Sequence, residues 1–223
     1  MTTLAYQSDP SRKAAILTTM RADIAADRLV KGHYWENGKG CAIGCLVRGS
    51  SHAAAANLVG MPVEVAGLFD TIFEGLPNGD AMALPVEFLD AIAPGVDLSL
   101  VWPRFAHWLL SEEVAATAAK DPACAKAVAD VAALFVTWIA GEKPLAAKWE
   151  RAAGAAGAAG AAAGAGAAAG DAAGAAGDAA WAAWAAGDAA GDAGAAAWAA
   201  KDASYGRQRD KLLELLRQAP IMS

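Results

Sequence analysis

Apolar residues return every three or four positions along most of this chain, and nowhere do they alternate strictly with polar ones. Asp9-Pro10 opens the first such stretch, with Ala14, Ile16, Leu17, Met20, Ile24 and Leu29 on one stripe and Lys31-Gly32 at its end. A polar loop, residues 33–40, follows and contains an Asn37-Gly38 turn. The pattern then predicts a helix over residues 41–58, stopped by Gly60. Pro62 fits the first turn of another, which carries Val65, Leu68, Phe69, Ile72 and Phe73 as far as Gly75. After a Pro77-Asn78-Gly79 turn, Pro85 opens a short helix through Phe88, Leu89 and Ile92 that Pro94-Gly95 ends. Further helices are expected over residues 98–110 and 122–139, and Pro144 opens a last helical stretch. With no period of two and no clusters of β-branched residues, the fold class is all-α.

The pattern changes after Arg151. Residues 152–200 contain 31 Ala, 11 Gly, 4 Asp and 3 Trp, and nothing else. Ala favours helix, whereas each interior Gly costs roughly 1 kcal/mol against Ala, so eleven would cost about 10 kcal/mol. An ordered run therefore needs close packing to offset them. Nine positions on a stripe that steps by three and four residues supply a candidate: Gly170, Gly174, Gly177, Trp181, Trp184, Gly191, Trp198, Tyr205 and Leu212. Glycine on it admits a neighbouring backbone and tryptophan fills the wider gaps. A single rod over residues 144–217 would be about 110 Å long. Turns are therefore expected at Gly164 to Gly166 and within residues 187–194, giving a closely packed antiparallel helical element. The expected organisation is an irregular helical domain over residues 1–143, then this Ala/Gly-rich hairpin or three-helix element over residues 144–223. A competing polyproline II register is met only by Gly154, Gly157 and Gly160.

Composition narrows the function. The formal net charge is −6 and the pI about 5.0, which offers no basic face for nucleic acid. The Ala/Gly run lacks the large apolar side chains of a membrane span and carries recurrent Asp. The first ten residues have no apolar core of a secretory signal. Three cysteines, Cys41, Cys45 and Cys124, are an odd number in a chain this long, so a disulfide framework is not expected and the cytoplasm is.

Candidate chemistry gathers in residues 33–52. Cys41 and Cys45 stand one helical turn apart, and with His33 and His52 they have the donor types of a zinc site. His33 and Glu36, beside Tyr34 and Trp35, have the makings of a small-ligand or acid/base site. The competing reading is that both thiols are core residues and the two aromatics merely anchor the loop. His107 reads as a core histidine. Asp70, Glu74, Glu87 and Asp90 read as solvated helix faces.

Lys31-Gly32-His33-Tyr34, a short loop and Cys41-Ala-Ile-Gly-Cys-Leu-Val47 resemble a motif of uncharacterised phage and bacterial helical proteins, in which a Gly-x-Tyr step precedes a Cys-x-Ile/Leu-Gly helix start. That resemblance implies a small α-helical module and no mechanism. In composition the Ala-rich tail resembles those of bacterial immunity proteins.

The leading expectation is a helical module, an immunity or regulatory factor, that acts by binding another protein and is able to self-associate. The alternatives are a small-ligand or zinc-binding protein or enzyme using residues 33–52, and an Ala-rich protein that binds a lattice such as ice. Neither nucleic acid nor membrane is an expected partner.

Overall fold

A computed structural model describes residues 4–119, 121–162 and 195–222, with side chains described to residue 156 and again from residue 201. The chain is predominantly α-helical, as its periodicity predicts, and the described part forms two compact units. The first comprises residues 1–102 and 202–223, the second residues 103–201.

In the first unit, α1 (Pro10–Ala25) begins where Asp9 accepts the Ser11 N–H at 2.8 Å, with Pro10 supplying a preset φ. It ends earlier than the apolar stripe predicts. Asp27 takes φ of +51°, and the chain then runs extended, with Val30 N–H donating to the Gly40 carbonyl and Gly40 N–H to that of Arg28. Leu29 thus reaches the core from a bridge to Gly40 rather than from a helix. The Asn37-Gly38 turn joins a two-residue hairpin, β1 (Trp35–Glu36) and β2 (Lys39–Gly40), paired antiparallel.

The single helix expected over residues 41–58 is two helices. α2 (Ala42–Val47) is capped by Arg48 in the left-handed region. α3 (His52–Val59) restarts where Ser51 Oγ accepts the Ala54 N–H at 3.1 Å. The break brings His52 to the head of a helix. α4 (Val63–Gly75) buries Val65, Ala66, Leu68, Phe69, Ile72 and Phe73, as its spacing requires. α5 (Asn78–Ala91) begins a full two turns before Pro85, which lies buried in its interior instead of opening it. Phe69 of α4 stacks on Phe88 of α5 at 4.1 Å, at the centre of this core. The C-terminal residues close the unit: Asp97 N–H donates to the Pro220 carbonyl and Met222 N–H to that of Gly95. Leu212, Leu213, Leu215 and Leu216 are buried.

The second unit contains most of α6 (Val101–Trp108), a π-helical turn (Leu109–Val114), α7 (Ala115–Ala118), α8 (Pro122–Ile139) and α9 (Ala146–Ala162). Asp121 caps α8 by accepting two N–H groups, those of Ala123 and Cys124. Phe135, Trp138 and Trp149 cluster where α8 meets α9, with ring centroids 4.8–6.3 Å apart. α9 includes Gly154, Gly157 and Gly160 in α-helix, so the polyproline II register is not adopted there.

Of the proposed stripe, Gly170, Gly174, Gly177, Trp181, Trp184 and Gly191 lie outside the described residues, as do the turns expected near residues 164 and 190. Trp198 falls in α10 (Ala195–Arg217), its side chain outside the description. Tyr205 and Leu212, further along α10, are both buried.

Candidate metal centre

Asp70 and Glu74 lie four residues apart on α4, so their side chains emerge on one face, one turn above the other. They do not form the solvated face expected of them. Ala66, one turn earlier on the same row, is fully buried, and the row runs along the margin of the core. The Asp70 side chain is only 13 % exposed. Across from them stands Cys41, itself buried, at the N-terminus of α2. The Cys41 sulfur and one oxygen from each carboxylate all lie within 4.8 Å of one another.

Local backbone geometry explains how Cys41 arrives there. Its N–H is shared between the carbonyls of His33 and Tyr34, at 2.8 and 3.0 Å. Its sulfur accepts the Gly44 N–H at 3.4 Å, in the manner of a helix cap. Gly40 and Gly44 both press on the Tyr34 carbonyl so closely that a β-carbon on either would collide with it. The loop is therefore seated directly on α2 only because those two positions carry no side chain.

Two further groups hold the carboxylates. His52 Nε2 lies 3.0 Å from Asp70 Oδ2, while the edge of its ring meets Tyr34 at a centroid distance of 5.8 Å. The Gly32 N–H donates to both oxygens of Glu74, at 3.1 and 2.9 Å. The other oxygen of Asp70, Oδ1, is buried without a hydrogen-bond partner of good geometry among the described residues.

The electrostatics are those of acids crowded away from water. Burial pushes the Cys41 thiol up to about 12, with Asp70 adding to the effect. Glu74 is raised as well, first by burial and then by Asp70, against the lowering effect of the Gly32 N–H. Tyr34 is raised by burial and by the same aspartate. A thiol so disfavoured as a thiolate is a poor nucleophile. A dication among the three donors reverses that balance, because it favours the deprotonated form of each.

Of the residues that the sequence singles out, Cys41 is in this cluster and His52 adjoins it through Asp70. His33 stands beside it, exposed, and its charge is felt at Glu74. Glu36 is exposed on the hairpin and joins none of them. Cys45 faces elsewhere: its sulfur approaches the carbonyls of Gly40 and Arg28, at 3.5 and 3.8 Å, in a buried setting that pushes the thiol up to about 11. Cys45 is therefore not among the donors that converge with Cys41. By type and spacing alone, Asp70 and Glu74 read as a solvated face and not as ligands. Two acids spaced i, i+4 and in line with a buried alanine, on a helix otherwise rich in Phe, Ile, Leu and Val, were the available signal.

Comparison of the chain with protein-family models, with curated proteins and with solved structures finds no match.

Proposed function

We propose that the first unit is a metal-binding module whose centre holds a zinc-type dication through Cys41, Asp70 and Glu74. One observation carries this reading: three donor atoms of different residues converge to within 4.8 Å. Around a tetrahedral ion with bonds of 2.0–2.3 Å, ligand atoms lie about 3.3–3.8 Å apart, so a modest inward movement of side chains completes the set. The thiol favours zinc or a similarly soft ion over magnesium or calcium, which prefer oxygen donors alone. His52, bound to Asp70, fixes that carboxylate as outer-sphere groups do around metal ligands.

Cobalt(II) titration of the metal-stripped full chain tests the reading. One equivalent is expected to give an intense near-ultraviolet sulfur-to-cobalt band, absent from Cys41→Ser and displaced by zinc. A wild-type chain that gives no such band and retains no zinc after dialysis would end it.

A second reading, action by protein association, draws on α8. Its mean hydropathy is 1.5, yet only 22 % of it is buried, and by length and composition alone it would suffice to cross a membrane. Val136 is 51 % exposed there, beside a cleft of about 360 Å³ lined also by Leu110, Val128 and Ala133. An apolar face of that kind suits a second copy of this chain. Light scattering should then give a mass of two chains for wild type and one for Val136→Asp; one chain for both removes the idea.

A further inference from the structure

Cys41, Asp70 and Glu74 make three ligands, and a zinc-type ion held by protein takes four. The inference here rests on the metal reading above and concerns the remaining position. We propose that His33 supplies it, so that loading the ion pins residues 31–40 over the centre.

The backbone on either side of His33 is already tied to two of the ligand residues. Immediately before it, the Gly32 N–H donates to both oxygens of Glu74. At His33 itself, the carbonyl accepts the Cys41 N–H at 2.8 Å. The imidazole, by contrast, is exposed and makes no hydrogen bond among the described residues. Gly32 has φ of +90°, a left-handed turn that only glycine takes readily, and this turn delivers His33 to the rim of the cluster. His33 therefore has a fixed root beside the centre and an uncommitted donor.

His52 is the rival. Its Nε2 is engaged with Asp70 Oδ2 at 3.0 Å and its ring is set edge-on against Tyr34. Withdrawing that nitrogen to the ion would break the contact that aims Asp70 and leave Oδ2, like the already unpartnered Oδ1, without a hydrogen bond among the described residues. His52 thus serves as a positioning residue and His33 as the ligand.

The experiment compares wild type, His33→Gln and His52→Gln, each as the metal-stripped full chain, by cobalt(II) absorption and by zinc competition. Wild type is expected to show the strong visible bands of four-coordinate cobalt. His33→Gln should keep the sulfur-to-cobalt band and lose at least about tenfold in affinity, with visible bands weakened as water takes the vacated place. His52→Gln should keep the four-coordinate bands. In nitrogen-15 spectra, zinc should shift the imidazole signals of His33. Since His33 is exposed, its replacement is not expected to disturb folding, which circular dichroism checks.

If His33→Gln matches wild type in affinity and in spectrum, His33 is not a ligand, and the three-residue centre still stands. If His52→Gln alone loses the four-coordinate bands, the two histidines have the opposite roles and the inference is overturned. A wild-type chain that takes up neither ion removes the centre itself, and His33 with it.

Discussion

The ring of Tyr205 fills the space that a side chain on Gly75 would need. A β-carbon built on Gly75 would fall among the ring atoms Cε1, Cζ and Cδ1. Gly75 is the last residue of α4, and Tyr205 is buried on α10, so this contact fastens the C-terminal helix to the helix that carries Asp70 and Glu74.

Gly75→Ala should therefore destabilise the first unit even though Ala is the better helix former. Overpacking of this kind costs about 1–3 kcal/mol, against a helix-propensity gain of about 1 kcal/mol. The expected readout is a lower urea midpoint for Gly75→Ala. The double variant Gly75→Ala/Tyr205→Leu should recover part of the loss, because the smaller side chain vacates the clash. A Gly75→Ala chain more stable than wild type would show that the ring moves aside freely.

This pairing also shows what was legible in the sequence. Tyr205 and Leu212 stood on the predicted stripe and both are buried. The glycine that receives Tyr205, however, lies on α4, 130 positions earlier in the chain, and no local periodicity reveals such a partner. At the described Gly154 and Gly206 a β-carbon would meet no atom of the described residues within 4 Å. The helices whose ends carry Gly or Pro were legible, α4 and α8 above all. The break at Arg48 was not, because it depends on a non-glycine residue in the left-handed region and on the Ser51 cap that follows. In the metal centre, Cys41 and His52 stood out by residue type. Asp70 and Glu74 did not, since acids at helical spacing describe a solvated face equally well until the burial of their neighbours is known.

A second prediction concerns the N-terminus. Tyr6 is fully buried, with φ of +53°, and its hydroxyl donates to the Leu89 carbonyl at 2.8 Å. Gln7 and Ser8 share its left-handed backbone. Such strain persists where surrounding contacts outweigh it. Tyr6→Phe keeps the ring and removes only the donor, leaving a carbonyl without its bond. It should cost about 1–2 kcal/mol, read from chemical denaturation. A loss near zero would mean that water replaces the hydroxyl.

Asp23 provides a third. Its side chain is 1 % exposed, and Arg48 spans both oxygens at 2.7 and 3.0 Å, while Arg28 reaches one at 3.2 Å. Arg48 also lies over the Trp35 ring, 4.3 Å from its centroid. Removing Arg48 strips a buried carboxylate of its two-point partner, so Arg48→Met should be the more damaging change, on the order of 3 kcal/mol. Arg28→Met should cost about 1 kcal/mol or less. Asp23→Asn/Arg48→Met should recover stability relative to Arg48→Met alone, because no buried charge is then left unpaired. Equal losses for the two arginines would contradict the geometry.

The thiols give the last prediction, and its sign depends on the ion. Burial pushes Cys41 from an ordinary value of 9.0 up to about 12, and Cys45 up to about 11. Between those limits the unfolded chain sheds thiol protons that the folded chain keeps. The stabilisation is therefore complete below about pH 9 and is lost as pH rises toward about 12. Metal-stripped protein should show a urea midpoint that falls across this alkaline window, and Cys41→Ala should flatten the fall. Alkylation at mildly alkaline pH should reach the half-buried Cys124 well before Cys41 or Cys45. With zinc bound the trend reverses. The ion takes the place of the Cys41 proton, so its affinity, and the stability it confers, should increase from about pH 6 to about pH 8 as competition from protons weakens. Calorimetric titration of zinc in two buffers of different ionisation enthalpy should detect release of about one proton from the thiol. Release unchanged in Cys41→Ser would place the ion on other donors.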